Sequence, residues 1–404
     1  MINMKAIIKT KIYAGKQKQQ LLRQSLGNIR FVWNKFVWLE KEYYKQHKKF
    51  IRFAGLCREI TRMRKEYEFL NYTSIWNLQQ IARKFNFALR LFIKHKSKGY
   101  KFPSYKRKKN YDGILIYPKD FKINGKMIYL PKIGWVRIKD KATKKSLWKH
   151  ITETAKQVWV KEEPDGFFAY IVYEKELSIQ RQNGKIVGID LGIRNTITIS
   201  NGETISLPIK NIMRIAKKIE ELQSIIDKKK HINKKRGIKQ SKRVIYLERR
   251  RSKLLKRIKN IKYDFYQKTI NHILKSHEYV VVENLELKEL KEVKSENKKA
   301  TKKIHKYLQY ISLSKFYQIL EYKAILYGRK IIKVNPKNTS KMCSRCGHIN
   351  NITLSTKVFK CSECGFRIDR DLNASINIYK MGLSISSGQG EYKREMVSER
   401  IPIR

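Results

Sequence analysis

The sequence predicts a mixed α/β protein: an N-terminal β-barrel with inserted helices, then a second α/β region interrupted by a metal-binding insertion. Three observations point there. Near the amino terminus apolar residues recur at helical spacing, then give way between 114 and 175 to short strand-like runs. From 186 onward short apolar runs alternate with long helical patterns. Late in the chain, two CxxC pairs at 343–364 stand between the last strand and the last helix.

The elements follow in order. Residues 4–13 alternate as a strand, and 17–45 read as a helix with Leu22, Leu26, Ile29, Val32, Trp33 and Phe36 along one face. A second helix covers 74–95, where Gln79, Gln80, Arg83 and Lys84 separate the apolar positions. The segment GYKFPSYKRKKN, 99–110, interleaves aromatic and basic residues, which suits phosphate contact together with base stacking. The runs ILIYP, FKI, KMIYLPKIGWVRIK and KQVWVKEEPDGFFAYIVYE read as strands, with turns at Gly125 and at Asp165-Gly166. Cys57 reads as a small buried apolar residue.

In the second half, IVGIDLGIRNTITIS is a strand, a tight turn and a second strand. Residues 210–277 carry a long helical period broken around KKKHINKKRGIKQSKR; from 228 to 259 there are 16 Lys or Arg and a single acid, Glu248. Such a run could be a solvated face or a hairpin that meets phosphate. YVVVENL (279–285) and KIIKVNP are buried-strand patterns, 311–328 is a helix between them, and DLNASINIYKMG is the closing helix. The polar stretch 288–305 and the tail 386–404 are expected to be mobile and disordered, respectively.

Charge narrows the partners. The 404 residues include 92 Lys and Arg against 34 Asp and Glu, a formal net charge of +58. Self-repulsion of that size opposes compaction, so a polyanion must neutralise it, and a nucleic-acid backbone does so. Neither a run of 18 apolar residues nor a signal-peptide pattern is present, so a membrane is not the expected partner and the expected location is cytoplasmic.

Three carboxylates stand out against this background. Asp190 lies in an apolar strand, Glu283 ends YVVVE, and Asp371 begins the last helix, with Asp369 just ahead of it. Burying carboxylates is costly without a counter-cation, and carboxylate oxygens suit Mg²⁺ or Mn²⁺, which serve phosphodiester hydrolysis in pairs. Each also has a structural reading: Asp190 as a turn cap, Glu283 as a solvated strand end, Asp371 as a helix N-cap, and Asp369 as a structural residue.

Cys343, Cys346, Cys361 and Cys364 form C-x2-C-x14-C-x2-C, each pair followed by a glycine, Gly347 or Gly365. That is a zinc-ribbon spacing, in which four thiolates close a tetrahedron around one structural Zn²⁺. An iron–sulfur cluster is the competing four-cysteine reading.

The ordered set VGIDLGIRN, VVVENL, NPKNTSKMCSRCG, CSECG and DRDLNASINI resembles the TnpB (OrfB) proteins of insertion sequences, RNA-guided DNA nucleases related to the type V CRISPR effectors. SIWNLQQIARKFNFAL, GYKFPSYK and YLPKIGWVRIK extend the likeness into the first half. The resemblance implies a wedge-like barrel with an inserted helical bundle over 1–180 (helices about 17–95). It implies a RuvC-type, RNase H-like nuclease domain over 181–340 and 366–385 that includes the basic hairpin 210–277, and a zinc ribbon over 341–365. It assigns Asp190, Glu283 and Asp371 as catalytic, Mg²⁺-binding residues, with Ser375 replacing an alanine of the family's D-x-N-A-A-x-N motif. Gln79, Gln80, Tyr100, Lys101, Tyr105 and Lys106 become nucleic-acid contacts, and 288–305 a lid. The implied partners are a guide RNA with a structured scaffold, double-stranded target DNA and a recombinase encoded by the same element. The rival readings are a guide-independent nuclease or transposase-type enzyme, a non-cleaving RNA-guided regulator, and a zinc-containing scaffold. The oligomeric state is left open.

Overall fold

Ala6, Thr10 and Ile12 are buried while Lys5, Ile7 and Tyr13 are exposed, the period of two that makes Asn3–Tyr13 a strand, β1. The structure is a computed structural model and describes residues 3–108, 111–139, 145–176, 183–192, 195–238, 241–284, 312–353 and 356–386. The chain divides into two units, Met1–Glu176 and Leu177–Arg404.

In the first unit β1 is followed by α1 (Lys16–His47), α2 (Phe53–Glu66) and α3 (Ile75–His95). Leu22, Ile29, Val32 and Phe36 of α1 are fully buried, whereas Leu26 and Trp33 are half-buried at the margin of the same core. Cys57 in α2 is likewise only half-buried against it. The strands β2 (Ile114–Tyr117), β3 (Lys122–Asn124), β4 (Met127–Leu130) and β5 (Gly134–Ile138) precede α4 (Lys145–Thr154), β6 (Ala155–Glu163) and β7 (Gly166–Glu176). Gly125 and Gly166 adopt φ of +50° and +127° at the two expected turns.

The expected N-terminal barrel is not formed. The seven strands make one antiparallel sheet in the order β2-β6-β7-β1-β5-β4-β3, and among the described residues no sheet closes. Closure requires the outer strands to pair. Here β2 pairs with β6 and β3 with β4, leaving β2 and β3 as the two edges of the sheet. The sheet changes course at β1, where residues 3–11 pair with β7 and only Ile12 and Tyr13 pair with β5. Alternation in the sequence reports that a segment is a strand, not whether two edges far apart in the chain meet.

The second unit holds β8 (Ile186–Asp190), β9 (Ile197–Ile199), β10 (Thr204–Ile205), α5 (Ile209–Lys235), α6 (Lys242–Ser276), β11 (Tyr279–Glu283), α7 (Leu313–Tyr327) and β12 (Lys330–Val334). It ends with the two-stranded sheet of β13 (Val358–Lys360) and β14 (Arg367–Asp369), then α8 (Arg370–Ser386). The main sheet runs β10-β9-β8-β11-β12, with β8, β11 and β12 parallel and β8, β9 and β10 antiparallel. Val187, Ile189, Val280 and Val282 pack towards α6 and α7, with Tyr266, Ile270, Phe316 and Leu320. Val281 packs on the other side with Ile378 of α8. Burial on both faces explains why YVVV reads as an unbroken apolar run. The basic hairpin is α5 and α6, whose own cores contain Ile212, Ile215 and Ile258, and Leu222, Ile226, Val244 and Leu247. Glu248, the lone acid of the run, pairs with Lys230 at 2.6 Å. The segment 288–305 and the tail beyond Ser386 lie outside the described residues.

Candidate active site

Strand alternation decides where two of the three carboxylates go. Gly188 and Asp190 fall on one face of β8, and Val281 and Glu283 on one face of β11. That is the face covered by α8. A Cβ on Gly188 would lie 2.3 Å from the Ser375 carbonyl oxygen, and one on Gly382 would lie 2.3 Å from a methyl of Val281. Because β8 and β11 are parallel with Ile189 opposite Val282, the next residues, Asp190 and Glu283, finish neighbouring strands at their carboxyl ends. That edge is where ligands bind in open α/β sheets.

Asp371 lies in the first turn of α8, and its charge acts on Asp190. Its backbone N–H and that of Leu372 donate to Asp369 Oδ1 at 2.9 and 3.3 Å, so Asp369 caps the helix and leaves the Asp371 carboxylate for the cluster. The buried Asp371 side chain accepts from Asn195 Nδ2 at 3.3 Å through Oδ2 and from Arg370 Nη2 at 3.3 Å through Oδ1. Burial pushes the Asp190 carboxyl well above its ordinary range, the Glu283 and Asp371 charges push further, and the Arg370 guanidinium opposes them. Burial also raises Glu283, against the hydrogen bond it accepts from Thr339 Oγ1 at 2.5 Å. Tyr317 donates its hydroxyl to the Glu283 backbone carbonyl at 2.9 Å. Asn195, Arg370, Tyr317 and Thr339 escaped the sequence reading. Asn195, Arg370 and Thr339 sit inside motifs and Tyr317 in the helix α7, but only placement against a carboxylate reveals the part of each.

The four cysteines converge with their Sγ atoms all within 4.8 Å of one another. Cys343 Sγ is 3.7 Å from Cys364 Sγ, and Cys346 Sγ is 3.6 Å from Cys361 Sγ. These separations are far too long for a disulfide and match the edge of an S₄ tetrahedron with bonds of about 2.3 Å, roughly 3.8 Å. Gly347 and Gly365 take φ of +81° and +67° in the two knuckles. The Cys361 thiol is pulled down to about 6, chiefly by the backbone N–H of Cys364. The donor set therefore fits a metal ion.

The aromatic and basic loop is strapped to α1. Trp33 Nε1 donates to the Ser104 carbonyl at 2.9 Å, and the Lys106 N–H donates to Asn34 Oδ1 at 2.7 Å. The Lys106 ammonium lies 5.0 Å from the Trp33 ring centroid, and Lys41 approaches the Tyr105 ring at 5.3 Å. Tyr100, Lys101 and Tyr105 remain exposed, whereas Lys106, Gln79 and Gln80 are half-buried. Among the described residues no helix is long and apolar enough to cross a membrane.

Comparison with known proteins gives a consistent assignment. Residues 170–294 match the family described as "Probable transposase", 314–378 match "Cas12f1-like, TNB domain", and 1–49 match a "Helix-turn-helix domain". "Putative RNA-guided DNA endonuclease InsQ" of Escherichia coli (strain K12) is 24% identical over 390 residues, 93% of this chain and 92% of that protein. The chain is homologous to the TnpB (OrfB) group of transposase-associated nucleases. A TnpB-like protein, L79 of Acanthamoeba polyphaga mimivirus, is 32% identical over 202 residues, 48% of this chain and 37% of its own length. A cryo-EM structure of a Cas12f1–sgRNA–target DNA complex shares the fold at a TM-score of 0.56 and 18% identity, over 90% of this chain and 83% of that one. In this chain the stretch matched as a helix-turn-helix is the strand β1 followed by the single long helix α1.

Proposed function

We propose that the protein is an RNA-guided DNA endonuclease of a transposable element, cutting target DNA beside a short adjacent motif at a RuvC-like site formed by Asp190, Glu283 and Asp371. The observation that carries this reading is that Asp190 and Glu283 end neighbouring parallel strands and that the charges of Glu283 and Asp371 act on Asp190, in a chain of net charge +58. The relative in E. coli described as an RNA-guided DNA endonuclease matches along nearly its whole length, which supports the guided reading over a guide-independent nuclease.

Asp190, Glu283 and Asp371 would take hard divalent cations such as Mg²⁺ or Mn²⁺. Their donors are oxygens, and Asp190 is destabilised as an anion by burial and by its acidic neighbours, a penalty that a cation removes. Such ions, when bound, supply Lewis-acid stabilisation of the attacking and leaving oxygens of a phosphodiester. The protein supplies the rest. Asp190 and Glu283 are fixed by the parallel pairing of their strands, Asp371 by the Asp369 cap and Asn195, and Glu283 by Thr339 and Tyr317. Arg370 offers a guanidinium beside the carboxylates, placed to hold a phosphate oxygen of the scissile strand. The cysteine element would hold one structural Zn²⁺ with no open position.

Sequence would be read by guide pairing, with the protein binding backbones through the loop 99–108, the face of α3 bearing Gln79 and Gln80, and the α5–α6 hairpin. The deciding experiment is to express the protein with its native flanking locus and sequence the RNA that survives nuclease treatment. One discrete RNA whose end matches DNA beside the element, together with Mg²⁺-dependent cutting lost in Asp190→Ala, is the expected result. Heterogeneous RNA with guide-free cutting would favour the autonomous nuclease, and guided binding without cutting would favour the regulator.

A further inference from the structure

The cysteine element is built into the same hydrogen-bonded lattice as the carboxylates. Its loop begins at Thr339, whose hydroxyl reaches Glu283 Oε1, and ends at β14, which runs into α8 two residues before Asp371. Two asparagines one helical turn apart on α8 bind the first knuckle from below. Asn373 accepts from the Ser344 N–H at 2.9 Å and donates to the Met342 carbonyl at 2.7 Å. Asn377 Nδ2 donates to the Thr339 carbonyl at 2.9 Å and to the Met342 carbonyl at 2.7 Å. Lys380, one turn on, donates to the Ser344 carbonyl. Asn373, Asn377 and Thr339 are 0%, 1% and 3% exposed, so these bonds compete with no bulk water. Asn373 has both ends of its amide committed and is a rigid brace, since breaking either bond strands a polar group, whereas Asn377 holds the loop through Nδ2 alone, its buried Oδ1 having no hydrogen-bond partner.

We propose that Thr339, Asn373 and Asn377 are positioning residues that transmit the order imposed by metal at Cys343, Cys346, Cys361 and Cys364 to Glu283 and Asp371, so that the cysteine metal sets the divalent-ion affinity of the carboxylates. The proposal rests on the reading of Asp190, Glu283 and Asp371 as a cation site. Closing the cysteine tetrahedron fixes both ends of one loop, Thr339 in front and Asp369 behind, and the asparagines hold that loop on α8. Opening it frees the Thr339 hydroxyl from Glu283 and loosens the entry to α8.

The test uses the full chain and Mn²⁺ as probe, read by electron paramagnetic resonance without any cleavage assay. Asn373→Ala leaves all four thiolates intact and is expected to retain one zinc per chain while its Mn²⁺ affinity at the carboxylates falls about tenfold, the range seen when groups supporting metal ligands are lost. Wild type stripped of its cysteine metal is expected to show a similar fall. Stripping Asn373→Ala should add little, because both changes cut one connection. Unchanged Mn²⁺ affinity in both, or fully additive losses, overturns the relay. Should Asp190→Ala leave Mn²⁺ binding intact, the cation-site reading fails by itself. The relay is then decided by amide exchange: faster exchange at Asp371 and Leu372 after stripping upholds it, and unchanged exchange overturns it.

Discussion

Gly188 of β8 and Ser375 of α8 meet backbone to backbone: a Cβ on the glycine would stand 2.3 Å from the Ser375 carbonyl oxygen and 2.5 Å from the Tyr379 nitrogen. The glycine is required by proximity alone, since its neighbours are peptide atoms that no rotamer change can move. Gly188→Ala should therefore lift α8 from the sheet. We expect a loss of about 1–3 kcal/mol in urea unfolding, the usual cost of overpacking. DNA cleavage should fall more steeply than stability, because α8 carries Asp371.

Asp190 links the cluster to pH. Its folded-state pKa is raised, so between the ordinary aspartate range and that raised value the folded chain holds a proton that the unfolded chain has released. Stability of the metal-free protein therefore falls as pH rises through this window, and the cost is fully present above it. Asp190→Asn removes the cost and is expected to raise the melting temperature of the metal-free protein at neutral pH while abolishing cleavage. Mn²⁺ binding by the wild type should weaken on acidification through the same window, which a titration at several pH values will show.

Arg370 opposes that shift, with Nη2 3.3 Å from Asp371 Oδ1 and Nη1 3.3 Å from the Thr353 carbonyl. Arg370→Gln should move the acid limb of the pH–cleavage profile to higher pH, since Asp190 then loses its nearby positive charge. Arg370→Lys should restore much of the position of that limb without the two-point contact.

How far these relations could be read in advance follows from their range. Asp190, Glu283 and Asp371 stand out in the sequence because each terminates or adjoins an apolar run, where a carboxylate is out of place, and their catalytic part is the proposal made above. The break between α5 and α6 was legible too, with Gly237 at φ +67° just past the end of α5 and Ser241 accepting from the Val244 N–H at the start of α6. The helices α2 and α4 carry apolar faces, but at 14 and 10 residues they repeat the helical spacing over few turns, so they are hard to tell from loop in the sequence. Asn373 and Asn377 looked like ordinary polar positions, though two amides at i and i+4 within an apolar helix signal a buried partner. The open sheet of the first unit was illegible because pairing between distant edges leaves no local trace.

Cys361→Ser should lower the metal content from one ion per chain to none and lower the unfolding temperature of the second unit. Its thiol is drawn below the ordinary range, chiefly by the Cys364 backbone N–H, and metal binding by cysteine needs the thiolate. Atomic absorption alongside differential scanning calorimetry reads both effects.

Lys101 is exposed on the loop held against α1, between Tyr100 and the half-buried Phe102. Lys101→Ala should weaken RNA or DNA binding evenly across sequences and reduce the log–log salt slope by about one unit. Tyr105→Ala should weaken binding to single strands more than to duplex, as expected where a ring stacks on bases.

The direct passage from β14 into α8 has a consequence for anyone altering the length of this protein. Asp371 stands seven positions after Cys364; beyond Gly365 and Phe366, strand and helix fill that interval with no residue between them. One residue inserted there would swing the carboxylate by about 100° around the helix axis, since an α-helix turns once every 3.6 residues. It would leave the cluster as surely as if it had been deleted. Spacing here acts as a phase angle, and composition alone cannot compensate for an error in it.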